Sequence, residues 1–253
     1  MYTEWGRDMD YGAKEASCIP QVTLRDPRLT GQGVLIAVLD SGIDYFLTEF
    51  QNADGTTRIL TLWDQSAIPD VEHNRLPPEG DTEGVLYTRD EINEALAAGS
   101  RQAGLAIVPQ QDISGHGTAV AALAAGSQSG VAAQAQLVVV KLGNPLAESF
   151  PRTTQLMRGI SYVVNLGVEL NMPVVVNLSF GNTYGDHRGE SLLERFIDNA
   201  SEIGRTAIII GSGNEGASNG HTAGIALTQK NIELAQKQAE RKKESLRAEV
   251  LEP

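Results

Sequence analysis

Short apolar runs alternate with amphipathic stretches along most of the chain. Residues 34–39 form a continuous apolar run behind two glycines, 137–140 is the next strand, and 174–178 and 206–210 read as two more strands, mostly apolar. Runs of this length without polar alternation suit strands buried on both faces. Helical patterns lie between them. Residues 118–125 are rich in Ala and Val all round, which predicts a helix buried on every side. Residues 154–170 repeat Leu156, Ile160, Val163 and Val164 at helical spacing. Two capping boxes open further helices, Thr88-Arg-Asp-Glu91 and Ser191-Leu-Leu-Glu194. The first helix runs to Ala98 with Gly99 as its stop, and the second carries Leu192, Phe196, Ala200 and Ile203 on one face. Residues 58–63 read as a weaker strand, and 64–88, rich in Pro, Asp, Glu and Gly, as an exposed loop or insertion. The alternation predicts an α/β fold with a mostly parallel sheet and helices on both faces.

The character changes after Gly224. Residues 228–252 carry eleven charges of both signs, no glycine and apolar residues near a helical period, which predicts a charged helical tail over 225–253 behind a domain over 1–224. Charge then narrows the function classes. With 20 basic and 32 acidic residues the net charge is −12, so neither nucleic acid nor an anionic membrane is an expected partner. No apolar run approaches the roughly 18 residues that span a bilayer. Residues 1–10 are polar and lack the apolar core of a signal peptide, so a chain that starts at its natural start is expected in the cytoplasm. Cys18 is the only cysteine and forms no internal disulfide.

Three segments carry chemistry. Asp40 ends the first strand in Ala37-Val-Leu-Asp-Ser-Gly-Ile-Asp44; His116 lies in Ser114-Gly-His-Gly-Thr118 just before the Ala-rich helix; Asn214 lies in Gly211-Ser-Gly-Asn-Glu-Gly216 just after the last strand. Ligands in open α/β sheets bind at the carboxyl ends of strands, so these segments can converge. Acyl transfer uses an imidazole as base, a carboxylate that holds it in the right tautomer, and an amide donor for the oxyanion. Each residue alone has a plainer reading. An Asp after a strand is often a turn former, and Asp44, which competes for the acid role, reads as structural. His73, His187 and His221 read as surface or core residues. The run 211–216 also fits G-x-G-x-x-G after a strand, but the polar, glycine-rich 217–224 offers no helix to receive a pyrophosphate.

The order and wording of the three segments resemble the subtilase family of serine proteases, whose chain order the two acid–base motifs follow. Val176-Asn-Leu-Ser-Phe-Gly181 adds a fourth match. The resemblance covers about residues 15–224. It implies a subtilisin-like three-layer fold and an endopeptidase acting on protein or peptide. Asp40 would be the acid, His116 the base and Asn214 the oxyanion donor, and Ser179, Phe180, Gly181 and Gly213 would line the substrate cleft. Leu62-Trp-Asp-Gln65, the stretch Tyr87-Thr-Arg-Asp-Glu-Ile-Asn93 and Phe180-Gly-Asn-Thr-Tyr-Gly185 look like the clostridial germination (Csp-like) subtilases, which process the pro-form of a spore-cortex hydrolase. The family needs no cofactor for its chemistry. Its members often bind a structural calcium, and the acidic stretch 64–83 holds candidate carboxylates without marking a ligand set.

One family motif is missing. The nucleophile belongs in Gly-Thr-Ser-x-Ala well after the oxyanion Asn, and no residues after Asn214 spell it. Ser41, Ser114, Ser179, Ser212 and Ser218 lie inside or beside other motifs, and none opens an apolar helix. These 253 residues are therefore expected to be an incomplete domain that does not turn over substrate alone. It is read as part of an active protease, as one half of a split protease completed by a partner chain, or as a binding protein on the same fold. Missing later strands would leave an exposed apolar patch.

Overall fold

The computed structural model describes residues 14–23, 29–143, 152–179 and 188–213. The chain divides into two compact units, Met1–Gly213 and Asn214–Pro253. The second, which includes the expected charged tail, lies outside the described residues.

Among the described residues a short helix, α1 (Ile19–Thr23), precedes one sheet of six strands: β1 (Leu35–Asp40), β2 (Ile59–Asp64), β3 (Val85–Thr88), β4 (Gln136–Lys141), β5 (Val174–Leu178) and β6 (Thr206–Ile210). Their order is β3-β2-β4-β1-β5-β6, and only the β2–β3 pair is antiparallel. All six residues of β1 are buried, as a central strand covered on both faces requires. Side chains alternate between two cores. Ile36 and Val38 point with Leu137 and Val139 into a core closed by helices α2 (Arg89–Ala97) and α4 (His116–Ala125), through Ile92, Ala95, Ala121 and Ala125. Leu35, Ala37 and Leu39 point with Val138 and Val140 into a second core. That core is closed by α5 (Thr153–Glu169) through Leu156, Ile160, Val163 and Val164, and by α6 (Leu192–Ser201) through Ala200. Each fully buried Val, Leu or Ile among them contributes about 1.5–3 kcal/mol. The mostly parallel α/β architecture is the one the alternation predicts. Among the described residues no helix is long and apolar enough to cross a membrane.

One buried cation ties the first core together. Arg58, just before β2, is 7% exposed. Its guanidinium donates to the carbonyls of Ala125 at 2.6 Å, Ala135 at 2.7 Å and Glu49 at 3.3 Å. It thereby satisfies the last carbonyl of α4, an end where positive charge is favoured.

Both capping boxes form, Thr88 with Glu91 and Ser191 with Glu194. Other expectations change. The stretch 64–88 is not loop throughout: Val85–Thr88 pairs with β2, and Val85 and Tyr87 are buried. A helix over Arg101–Ile107, α3, follows directly on Gly99, capped by Ser100. Helix α4 is not buried all round; Gly117, Ala121 and Ala125 face inward while Leu123 is 51% exposed. On α6 the packed face runs through Leu193, Phe196, Ile197 and Ala200, and Leu192 faces solvent. Ile209 and Ile210 of β6 are exposed as well.

Two tyrosines make the fold sensitive to alkali. Tyr45 donates its hydroxyl to the Val108 carbonyl and Tyr162 to Thr61 Oγ1, both at 2.8 Å. Burial pushes each phenol from its usual 10.0 up to about 12. A folded-state pKa above the unfolded one means stability that is complete below about pH 10 and is lost as pH rises toward 12. The urea midpoint is expected to hold to about pH 10 and fall steeply beyond it. A flat profile to pH 12 would contradict this burial.

Candidate active site

Asp40 closes β1, and its side chain is only 5% exposed. Strand register sets its neighbours, since Asp40 lies beside Lys141 of β4, which also lies beside Asp64 of β2. The Ser41 N–H donates to Asp40 Oδ1 at 2.7 Å. His116 is the first residue of α4, behind Gly115, whose φ of 74° lies in the left-handed region that favours glycine. His116 Nδ1 lies 2.8 Å from Asp40 Oδ1 and 3.0 Å from Oδ2. An ionised carboxylate only accepts, so Nδ1 carries the proton and Nε2 is left as the basic nitrogen of the neutral ring. The imidazole is half exposed, and among the described residues none hydrogen-bonds Nε2.

The helix reaches this close because residue 117 has no side chain. A Cβ on Gly117 would lie 2.3 Å from the Gly42 carbonyl oxygen and 3.1 Å from Asp40 Cβ. The Gly117 N–H instead donates to Ser41 Oγ at 3.0 Å, and Ser41 Oγ–H donates to Asp112 at 2.8 Å. Burial works to raise the Asp112 carboxyl, but hydrogen bonds from Thr118, Ser41 and Gly115 outweigh it and hold the group below the ordinary carboxylate range. Asp112 was not singled out in the sequence; its only signal is its place four residues before His116.

Two more segments leave the same end of the sheet. The β1–β5 register ends with Val38 beside Asn177, and Ser179 follows two residues on, after the end of β5. Ser179 Oγ accepts from Asn177 Nδ2 at 2.8 Å. Gly211–Gly213 follow β6, which pairs with β5, and Gly213 has a φ of 93°. Asn214, Phe180 and Gly181 lie outside the described residues, as do His187 and His221. His73 is exposed and bonds Asp70 at 2.7 Å. Asp44 pairs with Arg101 at 3.0 Å and does not bond His116. Among the described residues no group of three or more His, Cys, Asp or Glu side chains is arranged to hold a metal ion.

Three serines on these segments take part in hydrogen bonds. Ser41 is bonded as above, Ser114 Oγ accepts the His116 N–H at 3.3 Å, and Ser179 bonds Asn177. A buried carboxylate on one imidazole nitrogen with the other nitrogen open is a geometry that can serve general-base chemistry.

Comparison with known proteins gives the family and the fold. The CspB protease of Clostridium perfringens superposes with a TM-score of 0.69 at 36% identity, over 82% of this chain and 42% of that one. The PI-type proteinase of Lactococcus lactis subsp. cremoris is 27% identical over 197 residues, which is 77% of this chain and 10% of the relative. The PII-type proteinase of Lacticaseibacillus paracasei is 26% identical over the same share of both. The chain thus spans about two-fifths of the CspB chain and a tenth of these curated relatives. The profile of the subtilase family matches residues 31–238, more than half of the sequence, and the chain belongs to that family of proteases.

Proposed function

We propose that this chain carries the acid–base half of a subtilisin-like serine endopeptidase. Asp40 orients His116 and stabilises its imidazolium; His116 Nε2 takes the proton of an attacking serine and returns it to the leaving amine. The serine comes from outside these 253 residues, because the sequence contains no Gly-Thr-Ser-x-Ala motif. Asn214 donates to the oxyanion, and Ser179, Phe180, Gly181 and Gly213 line the cleft for an extended protein or peptide substrate. The observation that carries the reading is the 2.8 Å contact between a buried carboxylate and an imidazole whose other edge is open.

A fluorophosphonate probe, which needs an activated serine, tests this in two arms. The 253-residue chain alone is expected to remain unlabelled. A chimera with residues 31–213 replacing the matching stretch of the C. perfringens CspB protease is expected to label and to cleave a peptide substrate. A folded chimera that does neither would refute the acid–base assignment, and labelling of the chain alone would refute the missing serine.

A further inference from the structure

One carboxylate joins the two segments that carry Asp40 and His116. Each oxygen of Asp112 accepts one hydroxyl and one backbone N–H. Oδ1 accepts from Ser41 Oγ at 2.8 Å and from the Gly115 N–H at 2.9 Å. Oδ2 accepts from Thr118 Oγ1 at 2.6 Å and from the Thr118 N–H at 2.9 Å. The two hydroxyls then close a reciprocal clasp. Ser41, on the loop after β1, accepts the N–H of Gly117 in the helix at 3.0 Å. Thr118, in the helix, accepts the N–H of Asp44 in the loop at 2.9 Å.

We propose that Asp112 is a positioning residue for this acid–base pair: its carboxylate locks the loop after β1 to the first turn of α4 and so fixes the separation of Asp40 from His116 Nδ1. The proposal rests on reading Asp40 and His116 as acid and base. Three features carry it. A carboxylate has about four acceptor sites and no donor, and four donors meet this one, so no other side chain of its size satisfies the site. Two of the donors are backbone N–H groups that cannot rotate away. The charge lies at the N-terminus of α4, where an anion is favoured. A turn former bonds its own neighbours, whereas Asp112 also reaches Ser41, 71 residues earlier in the chain.

The test is NMR of the full chain with 15N-labelled histidine, following solvent exchange of the His116 Nδ1 proton, with folding checked by urea titration. Asp40→Asn comes first: if it leaves the exchange rate at the wild-type value, the acid–base reading fails and Asp112 is not the cause. Asp112→Asn presents an NH2 group to one pair of donors. Exchange is expected to accelerate about tenfold or more, the effect of one lost buried acceptor, while the chain stays folded. A folded Asp112→Asn chain that exchanges at the wild-type rate, however much less stable, would overturn the proposal. Where Asp112→Asn does not fold, Ser41→Ala decides, since it removes one bridging hydroxyl and leaves the carboxylate. Faster Nδ1 exchange supports the clasp, and an unchanged rate overturns it.

Discussion

In the CspB chimera, His116→Ala is expected to lower turnover about 10⁶-fold and Asp40→Asn about 10⁴-fold, with the double variant no worse than His116→Ala alone. The order follows from what each group does. Without the imidazole no described side chain can take the serine proton, and only oxyanion binding and substrate contacts remain. Asparagine at 40 keeps the shape but not the charge. The Ser41 N–H already points at Oδ1 at 2.7 Å, which selects the amide oxygen there and turns the NH2 toward the site of Oδ2, itself 3.0 Å from Nδ1. A donor then faces Nδ1 beside the acceptor, so the tautomer is no longer held. The imidazolium formed in the reaction also loses its counter-charge. A factor of 10⁴ corresponds to about 5.4 kcal/mol of transition-state stabilisation. The groups act as one unit, so their losses do not add. An Asp40→Asn chimera within tenfold of the parent, or a double variant far below His116→Ala, would mean that the two residues work separately.

The proposed acid and base are legible because the chemistry proposed for them forces local wording. Asp40 needs a strand end and a tight turn, and His116 needs a glycine on each side, so both appear as short strings in fixed order. The clasp was not legible. Asp112 has no flanking pattern; its partner Ser41 lies 71 residues earlier in sequence, and Asp44, which bonds Thr118, lies 74 residues before that threonine, so only the sheet's topology joins them. The same division runs through the fold. Strands β5 and β6 follow from apolar runs that end where the strands end. Strand β3 has only four residues in a stretch dense with Pro, Glu and Gly, and its pairing with β2 decides its conformation. Helix α3 contains Gly104, a poor helix former, and gains its place by packing on α2. Alanine misled the reading of α4, since a methyl group is tolerated at a solvent-facing position as easily as in a core.

Replacing Gly117 by alanine is expected to separate the acid from the base without touching either. On helix propensity alone the change favours folding by about 1 kcal/mol. Packing opposes it. The new Cβ would meet the Gly42 carbonyl oxygen at 2.3 Å, the Gly42 nitrogen at 3.1 Å and Asp40 Cβ at 3.1 Å. An ordinary carbon–oxygen approach is about 3.3–3.6 Å, so one segment must retreat by about 1 Å. All three atoms belong to backbone or are fixed to it, so no side chain can rotate aside. Overpacking of this kind costs about 1–3 kcal/mol, which outweighs the propensity gain, and Tm is expected to fall. The retreat stretches the 2.8 Å bond between His116 and Asp40 beyond hydrogen-bond reach. A misplacement of about 1 Å costs on the order of 10²-fold in rate, so the chimera should lose about that much in kcat with KM little changed, because the segments proposed to line the cleft are not among those the new Cβ meets. Equal Tm and equal kcat in the alanine variant would show that α4 does not approach the β1 loop as closely as described, and the Asp40–His116 contact would lose its structural basis.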